Sequence, residues 1–190
     1  GLRLAPPEPN QQVGTKPDEL PTHEQLEKVR GVLEEFPEEK LWERPAVGVV
    51  SLGNLVCHVA GSMREWFENG LGQGDWSRDR QFEFDRDGDL DKAALREHLD
   101  QTRIHCGKFL DAVNQENWED QRRFREKPYS VREVLWHQVE HVAFHAGQAA
   151  FLRRMVADGR FRDDLFYRLG LLELVQADSL GRLMAERLKV

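Results

Sequence analysis

Three histidines recur at four-residue steps in the last third of the sequence, at His137, His141 and His145. Residues four apart on an α-helix lie about one turn apart on the same side, so their imidazoles would form one row. Neutral imidazole binds Zn, Ni, Cu and Fe, and two such ligands one turn apart can share an ion. The spacing therefore indicates a metal site. The alternative is that these histidines are partly exposed or form hydrogen bonds within the core.

A third ligand could come from His58, which lies far upstream beside the apolar row of another predicted helix. Three protein ligands leave one or more coordination positions open, which is typical of catalytic rather than structural metal sites. An ion in such a site lowers the pKa of bound water or of a bound thiol, and so makes a nucleophile at neutral pH. Taken alone, a single histidine on a helix is more often a surface or hydrogen-bonded residue.

Helix start and stop signals place these histidines on long helices. Ser130 and Glu133 have the spacing of a capping box, so a helix should begin there and carry the histidine row. Gly159 is predicted to follow the end of this helix, where the residue commonly adopts the left-handed conformation that glycine favours. Ser51 is predicted to begin the helix that carries His58.

Two further helices are predicted over 22–36 and 91–115, and one or two amphipathic helices after residue 159. Strand signals are weak: the only β-like patch is 46–50, and 71–91 is predicted to be a long polar loop. The stretch 116–129 is predicted to be a connector. We therefore expect an all-α fold in which four long helices surround one core, with extra helices at the C-terminal end.

The composition is that of a soluble globular protein, with 39% hydrophobic and 32% charged residues among 190. A net charge of −7 and the absence of a basic stripe disfavour a nucleic-acid partner, and no apolar run approaches the roughly 20 residues of a membrane span. Residues 1–20 are expected to form an extended or disordered arm, and 21–190 the helical bundle. Cys57 and Cys106 give no disulfide framework, and no secretory signal is visible, so a reducing cytoplasm is the expected location.

Other polar residues are candidates to line a pocket or to hold the imidazoles. Trp76, Arg78 and Arg80 lie in the predicted loop, where they could cover the metal and bind an anionic substrate; solvated loop charges are the alternative. Glu140 could accept a hydrogen bond from an imidazole N–H or simply lie on a polar helix face. Gln148 continues the row of histidines.

These motifs together resemble the DinB-like superfamily of metalloenzymes, which includes YfiT-like hydrolases. The resemblance is carried by His-Val-Ala-Gly at 58–61 and by His141-x-x-x-His145 followed by Gly147 and Gln148. Four segments are similar to one branch of the superfamily, namely LWERP, SLGNLVCHVAGSMREWF, DWSRDRQFEF and HQVEHVAFHAGQ. The resemblance covers about residues 22–160.

The resemblance implies an antiparallel four-helix bundle, often dimeric, with one divalent ion, commonly Zn or Ni. One histidine of the second helix and two of the last long helix hold that ion in the superfamily. Carried over by position, the ligands are His58, His141 and His145, and His137 matches a histidine one turn earlier that contacts the ligands or lines the pocket.

The resemblance also implies a class of chemistry. Members of the superfamily include S-transferases and isomerases that depend on bacillithiol or mycothiol, and an iron-binding domain of sulfoxide synthases. The synthases carry a glutamate where Gly147 stands here, so their chemistry is set aside. The expected function is that of a metal-dependent hydrolase or thiol-dependent S-transferase, which activates water or a low-molecular-weight thiol for a small-molecule substrate and acts as a homodimer. The alternative is a metal-binding or stress-response bundle without turnover.

Overall fold

The computed structural model of the protein describes residues 21–114 and 116–157. Their regular structure consists of five α-helices and one antiparallel pair of strands. The helices are α1 (Pro21–Glu35), α2 (Leu52–Glu65), α3 (Arg80–Asp85), α4 (Lys92–Leu110) and α5 (Val131–Leu152), and the strands are β1 (Gln121–Phe124) and β2 (Lys127–Ser130). A 3₁₀ turn lies at Glu38–Lys40, and α2 and α5 continue into π-helical turns at Trp66–Leu71 and Arg153–Ala157.

The four long helices enclose one hydrophobic core. α1 packs against α4 and α5, and α2 packs against the same two helices. The all-α bundle predicted from the sequence is therefore confirmed. No helix in the described part of the chain is both long enough and apolar enough to span a bilayer. The predicted N-terminal arm, the end of the last long helix at Gly159 and the helices after it lie outside the described residues.

Both helices that carry the candidate ligands begin at predicted residues and with the same device. Ser130 accepts a hydrogen bond from the backbone N–H of Glu133 at 3.2 Å, and the Glu133 carboxylate accepts one from the backbone N–H of Ser130 at 2.6 Å. At the start of α2, Ser51 and Asn54 form the equivalent capping box. Such boxes satisfy backbone donors that a helix start leaves without partners, so they fix where each helix begins.

Two predictions about the connections are wrong. The stretch 71–91 is not a continuous loop, because Asp79 caps the short helix α3 by accepting from the backbone N–H of Phe82. The stretch 116–129 contains most of a β-hairpin, in which Gln121 pairs with Ser130. The β-like patch at 46–50 forms no strand. The segment is irregular chain, in which Val49 is buried and Val47 is exposed.

Trp42, in the connector after α1, packs against the start of α2. The indole ring of Trp42 lies so close to Gly53 that a β-carbon there would come within 2.8–2.9 Å of ring atoms. Its Nε1 donates a hydrogen bond to the carbonyl of Leu90 at 2.9 Å. Trp42 therefore contacts both α2 and the segment that precedes α4.

Candidate metal centre

The three histidines that the sequence predicts as ligands meet between α2 and α5. His58 comes from α2, and His141 and His145 come from successive turns of α5. One ring nitrogen from each lies within 4.8 Å of the others. The ring of His58 is centred 5.3 Å from that of His141 and 4.9 Å from that of His145. Residues more than 80 positions apart therefore converge on one point inside the bundle.

Two of these nitrogens have nearly the spacing expected of ligands to one small divalent ion. The Nε2 atoms of His141 and His145 lie 3.2 Å apart. Two nitrogens bound at about 2.0–2.1 Å to one tetrahedral ion would lie about 3.3–3.4 Å apart, so the pair is already near ligand spacing. Among the described residues, the buried Nδ1 of His141 has no hydrogen-bond partner. A buried imidazole with an unpaired nitrogen is costly unless the group gains a further interaction.

The environment keeps all three imidazoles neutral, which is the form that binds metal. Burial and the neighbouring histidines lower the pKa of His141 to about 2. Burial, with His58 as a second cause, lowers the pKa of His145 to about 3. The pKa of His58 is also lowered, mainly by burial, although the nearby Glu83 carboxylate opposes the shift. At neutral pH each ring therefore offers a lone pair rather than a second proton.

Two side chains hold the outer nitrogens of these rings. The side-chain oxygen of Gln148 lies 2.6 Å from Nδ1 of His145, so it accepts the Nδ1–H and leaves the Nε2 lone pair facing the cluster. A carboxylate oxygen of Glu83, on α3, lies 3.1 Å from Nδ1 of His58. From the sequence, Gln148 was a candidate to line the pocket or hold an imidazole, whereas Glu83 was not among the candidates. The sequence offered one signal for this region. Aspartate is a residue type that favours the position just before a helix, and Asp79 lies four residues before Glu83.

The other predicted residues of helix α5 lie around the cluster without joining it. His137 stacks on Trp66, with ring centroids 3.9 Å apart, and its ring is 5.8 Å from that of His141. It is not part of the group whose ring nitrogens converge. Glu140 is exposed. Of the two carboxylates, it is Glu83 and not Glu140 that contacts a histidine of the cluster.

The two predicted arginines of the 71–91 segment lie near His58 but have different partners. Arg78 is nearly buried and donates hydrogen bonds to the carboxylates of Glu83 and Glu65, at 2.7 and 3.0 Å. Arg80 is stacked over Phe84 at 5.0 Å, and the Phe84 ring is centred 4.8 Å from that of His58. The charge of Arg78 is therefore paired with two carboxylates, one of which contacts His58.

Trp76 lines a different space. The indole lies under the guanidinium of Arg64 at 4.5 Å. Both border a cavity of about 440 Å³ between α2, α4 and the 76–86 segment, and its lining includes none of the three clustered histidines. Cys57 also borders this cavity, and burial raises the pKa of its thiol to about 11. Cys57 and Cys106 are both buried, as predicted, and carry no thiolate at neutral pH.

Comparison with known proteins adds a family and a fold. The family model described as the DinB superfamily matches residues 22–149. A conserved protein from Enterococcus faecalis of solved structure is 18% identical, with a TM-score of 0.61, over 78% of this chain and 99% of that one. A DinB-like protein from Bacillus cereus is 16% identical, with a TM-score of 0.55, over 69% of this chain and 85% of that one. At these identities the two structures show likeness of fold alone. No curated protein matches the sequence.

Proposed function

The chain belongs to the DinB superfamily, whose model matches residues 22–149, and on that premise we propose that it binds one divalent metal ion on His58, His141 and His145. The observation that carries the proposal is the convergence of three ring nitrogens within 4.8 Å. Neutral nitrogen ligands suit Zn and Ni, which are the ions we expect. The same ligand set also accepts other first-row ions, so affinity alone does not select between them.

The reaction we propose follows from the number of protein ligands. In the described part of the chain the converging group consists of three histidines, which leaves at least one coordination position for an exogenous molecule. When bound, the ion would act as a Lewis acid that activates water or a low-molecular-weight thiol. We therefore propose hydrolysis or thiol-dependent S-transfer on a small-molecule substrate.

The surrounding residues have supporting roles in this proposal. Gln148 and Glu83 would orient His145 and His58 through their Nδ1–H groups. His137 would line the approach to His141 from the side of Trp66. The positive charge of Arg80, next to Phe84, would favour an anionic substrate or thiolate near the site. A homodimer remains part of the proposal on the basis of the family resemblance, and a cytoplasmic location on the basis of the two cysteines, which form no disulfide.

A second candidate is a bundle in which the ion only braces the helices. The burial of His58 and His145, at 4% and 3% exposed, favours it, because a closed site excludes substrate. His141 is half-buried and offers the more open side. Accessibility distinguishes the two: a small ligand such as azide or a thiol should change the visible spectrum of the Co²⁺-loaded protein if the ion is open to solvent, and leave it unchanged if the site is closed.

Metal titration tests the proposal. The purified, chelator-treated protein should bind about one Zn²⁺ or Ni²⁺ per chain, and His141→Ala should abolish tight binding. The matched control is His105→Ala, because His105 lies on α4 and contacts Glu68 at 2.9 Å, outside the cluster. Equal binding by His141→Ala and the wild type would refute the site. Turnover of a generic electrophile or ester, measured with and without added thiol, then separates the two reaction types from a silent bundle.

A further inference from the structure

Glu83 reaches His58 because α2 has no side chain in the way. Gly61 lies three residues after His58 on α2, and a β-carbon at Gly61 would come within 2.0 Å of a Glu83 carboxylate oxygen and 2.9 Å of its carboxyl carbon. The same β-carbon would be 3.2 Å from Nε of Arg78. Any residue other than glycine at this position must therefore displace the carboxylate that contacts the imidazole.

The carboxylate cannot move aside cheaply, because it is held on two sides. Arg78 donates from both Nε and Nη2 to the two oxygens of Glu83, each at 2.7 Å. Arg78 also donates to Glu65, and Arg125 of the β-hairpin turn donates to the same Glu65 oxygen at 2.8 Å. Glu83 and Arg78 are both largely buried. Charges of alternating sign thus run from the hairpin to His58, and such charge-assisted pairs are strong where water is excluded.

The backbone that bears Glu83 is also fastened to α2. The side-chain amide of Asn54 donates to the carbonyls of Glu83 at 3.0 Å, Phe84 at 3.2 Å and Arg86 at 2.9 Å. Asn54 is fully buried and lies four residues before His58 on the same helix. One turn of α2 therefore carries His58, and the turn before it carries Asn54, which holds the backbone of Glu83 in place.

The hydrogen bonds decide which nitrogen of His58 carries the proton. Nη2 of Arg78 lies 3.1 Å from Nδ1 of His58, but it also contacts a Glu83 oxygen at 2.7 Å and the His58 carbonyl at 3.2 Å. Nη2 of Arg78 carries two hydrogens, and these two oxygens accept both of them, so none is left to donate to Nδ1 of His58. A carboxylate 3.1 Å from a bare nitrogen lone pair would be repelled, so Nδ1 carries a hydrogen that it donates to Glu83. The lone pair is then on Nε2.

We propose that Glu83 is a positioning residue that fixes His58 as the Nδ1–H tautomer and presents its Nε2 lone pair to the metal, and that Gly61 is required because it admits the Glu83 carboxylate. The inference rests on the proposed metal site. Loss of an outer carboxylate or carbonyl partner of a metal-binding histidine typically weakens metal affinity about 10–100-fold, which is the effect expected here.

The experiment compares four variants with the wild type. Glu83→Ala removes the acceptor, whereas Glu83→Gln keeps an acceptor oxygen and should recover part of the affinity. Gly61→Ala keeps every polar group and adds one methyl group at the contact. The matched control is Gly147→Ala on α5, where a β-carbon meets nothing within 4 Å. Both glycine changes raise helix propensity, so their difference isolates the displaced carboxylate. Circular dichroism establishes that each variant is folded.

Two readouts are needed. Imidazole ¹H–¹⁵N spectra of the metal-free proteins report which nitrogen of His58 is protonated, and Zn²⁺ competition titrations report the Kd. The inference predicts the Nδ1–H form in the wild type and in Gly147→Ala, a mixed or Nε2–H form in Glu83→Ala and Gly61→Ala, and a Kd about 10–100-fold higher in those two variants.

An Nε2–H form of His58 in the wild type, or a Kd within about twofold of the wild type in both Glu83→Ala and Gly61→Ala, would overturn the inference. A wild type with the Nδ1–H form that binds no Zn²⁺ or Ni²⁺ would refute the proposed metal site while supporting the Glu83 contact. The two failures are therefore distinguishable.

Discussion

Replacing Asn54 by alanine should destabilise the protein strongly, because this buried amide joins α2 to the segment that holds Glu83. The amide nitrogen donates to three carbonyls at 2.9–3.2 Å, and the amide oxygen accepts from the hydroxyl of Ser51 at 2.7 Å. The amide nitrogen carries two hydrogens and can therefore make two full hydrogen bonds to these carbonyls. With the bond from the Ser51 hydroxyl, the side chain makes three. At about 0.5–1.5 kcal/mol each, they contribute about 3 kcal/mol to the free energy of unfolding.

For a domain of this size, 1 kcal/mol corresponds to about 2–4 °C, so the melting midpoint of Asn54→Ala should fall by about 6–12 °C. Thermal melts followed by circular dichroism measure the shift. Asn54→Asp is the matched control: it keeps the oxygen that Ser51 contacts but places a carboxylate oxygen against the carbonyls, so it should lose at least as much at pH 7. A midpoint for Asn54→Ala within about 2 °C of the wild type would refute the reasoning.

Three further predictions concern other parts of the molecule. Because burial raises the pKa of the Cys57 and Cys106 thiols to about 11 and about 12, both should resist a disulfide reagent in the folded protein and react together after denaturation; fast reaction of the folded protein would contradict this. The melting midpoint of the metal-free protein should fall as the pH drops from 7 to 5. His141 stays neutral in the folded protein, where its pKa is about 2, whereas in the unfolded chain it takes up a proton near pH 6.5, so acid favours unfolding. A melting midpoint that stays constant or rises over this range would contradict the prediction. Gly53→Ala should destabilise by about 1–3 kcal/mol because it overpacks the indole that covers Gly53, whereas Gly31→Ala, in open space on α1, should stabilise slightly; equal urea midpoints for the two variants would contradict the packing argument.

The parts of the fold that were predictable are those encoded locally. The capping signals at Ser51 and Ser130 depend on residues three positions away, so they can be read along the chain, and both helices begin where predicted. The row of His141 and His145 follows from helical periodicity in the same way. His58 was a candidate third ligand from its place beside the apolar row of its helix, and the family resemblance assigned the same residue. The bundle brings the three rings together.

The β-hairpin was missed because it lacks the usual sequence signals. Its turn is formed by Arg125 and Glu126, which have φ values of 50° and 64°, a region where glycine or asparagine is usual. Three of the eight strand residues are charged, and Phe124 is the one buried apolar side chain in the two strands. No alternating apolar pattern was therefore available to indicate strands.

Glu83 was missed for a different reason. Its burial depends on partners far along the chain, since Gly61 supplies the space and Asn54 fixes the backbone. Glu140 was considered because it precedes His141 in sequence, but adjacent helix residues point about 100° apart, and Glu140 is exposed. Sequence proximity on a helix was therefore a poor guide to which carboxylate contacts an imidazole.

The most direct test of the metal centre is a crystal structure of the Zn²⁺- or Ni²⁺-loaded protein with anomalous diffraction data collected at the absorption edge of the metal. We predict one strong anomalous peak per chain, about 2.0–2.1 Å from one ring nitrogen of each of His58, His141 and His145. A peak bound by other residues, or the absence of any peak between α2 and α5 in crystals grown with excess metal, would contradict the account.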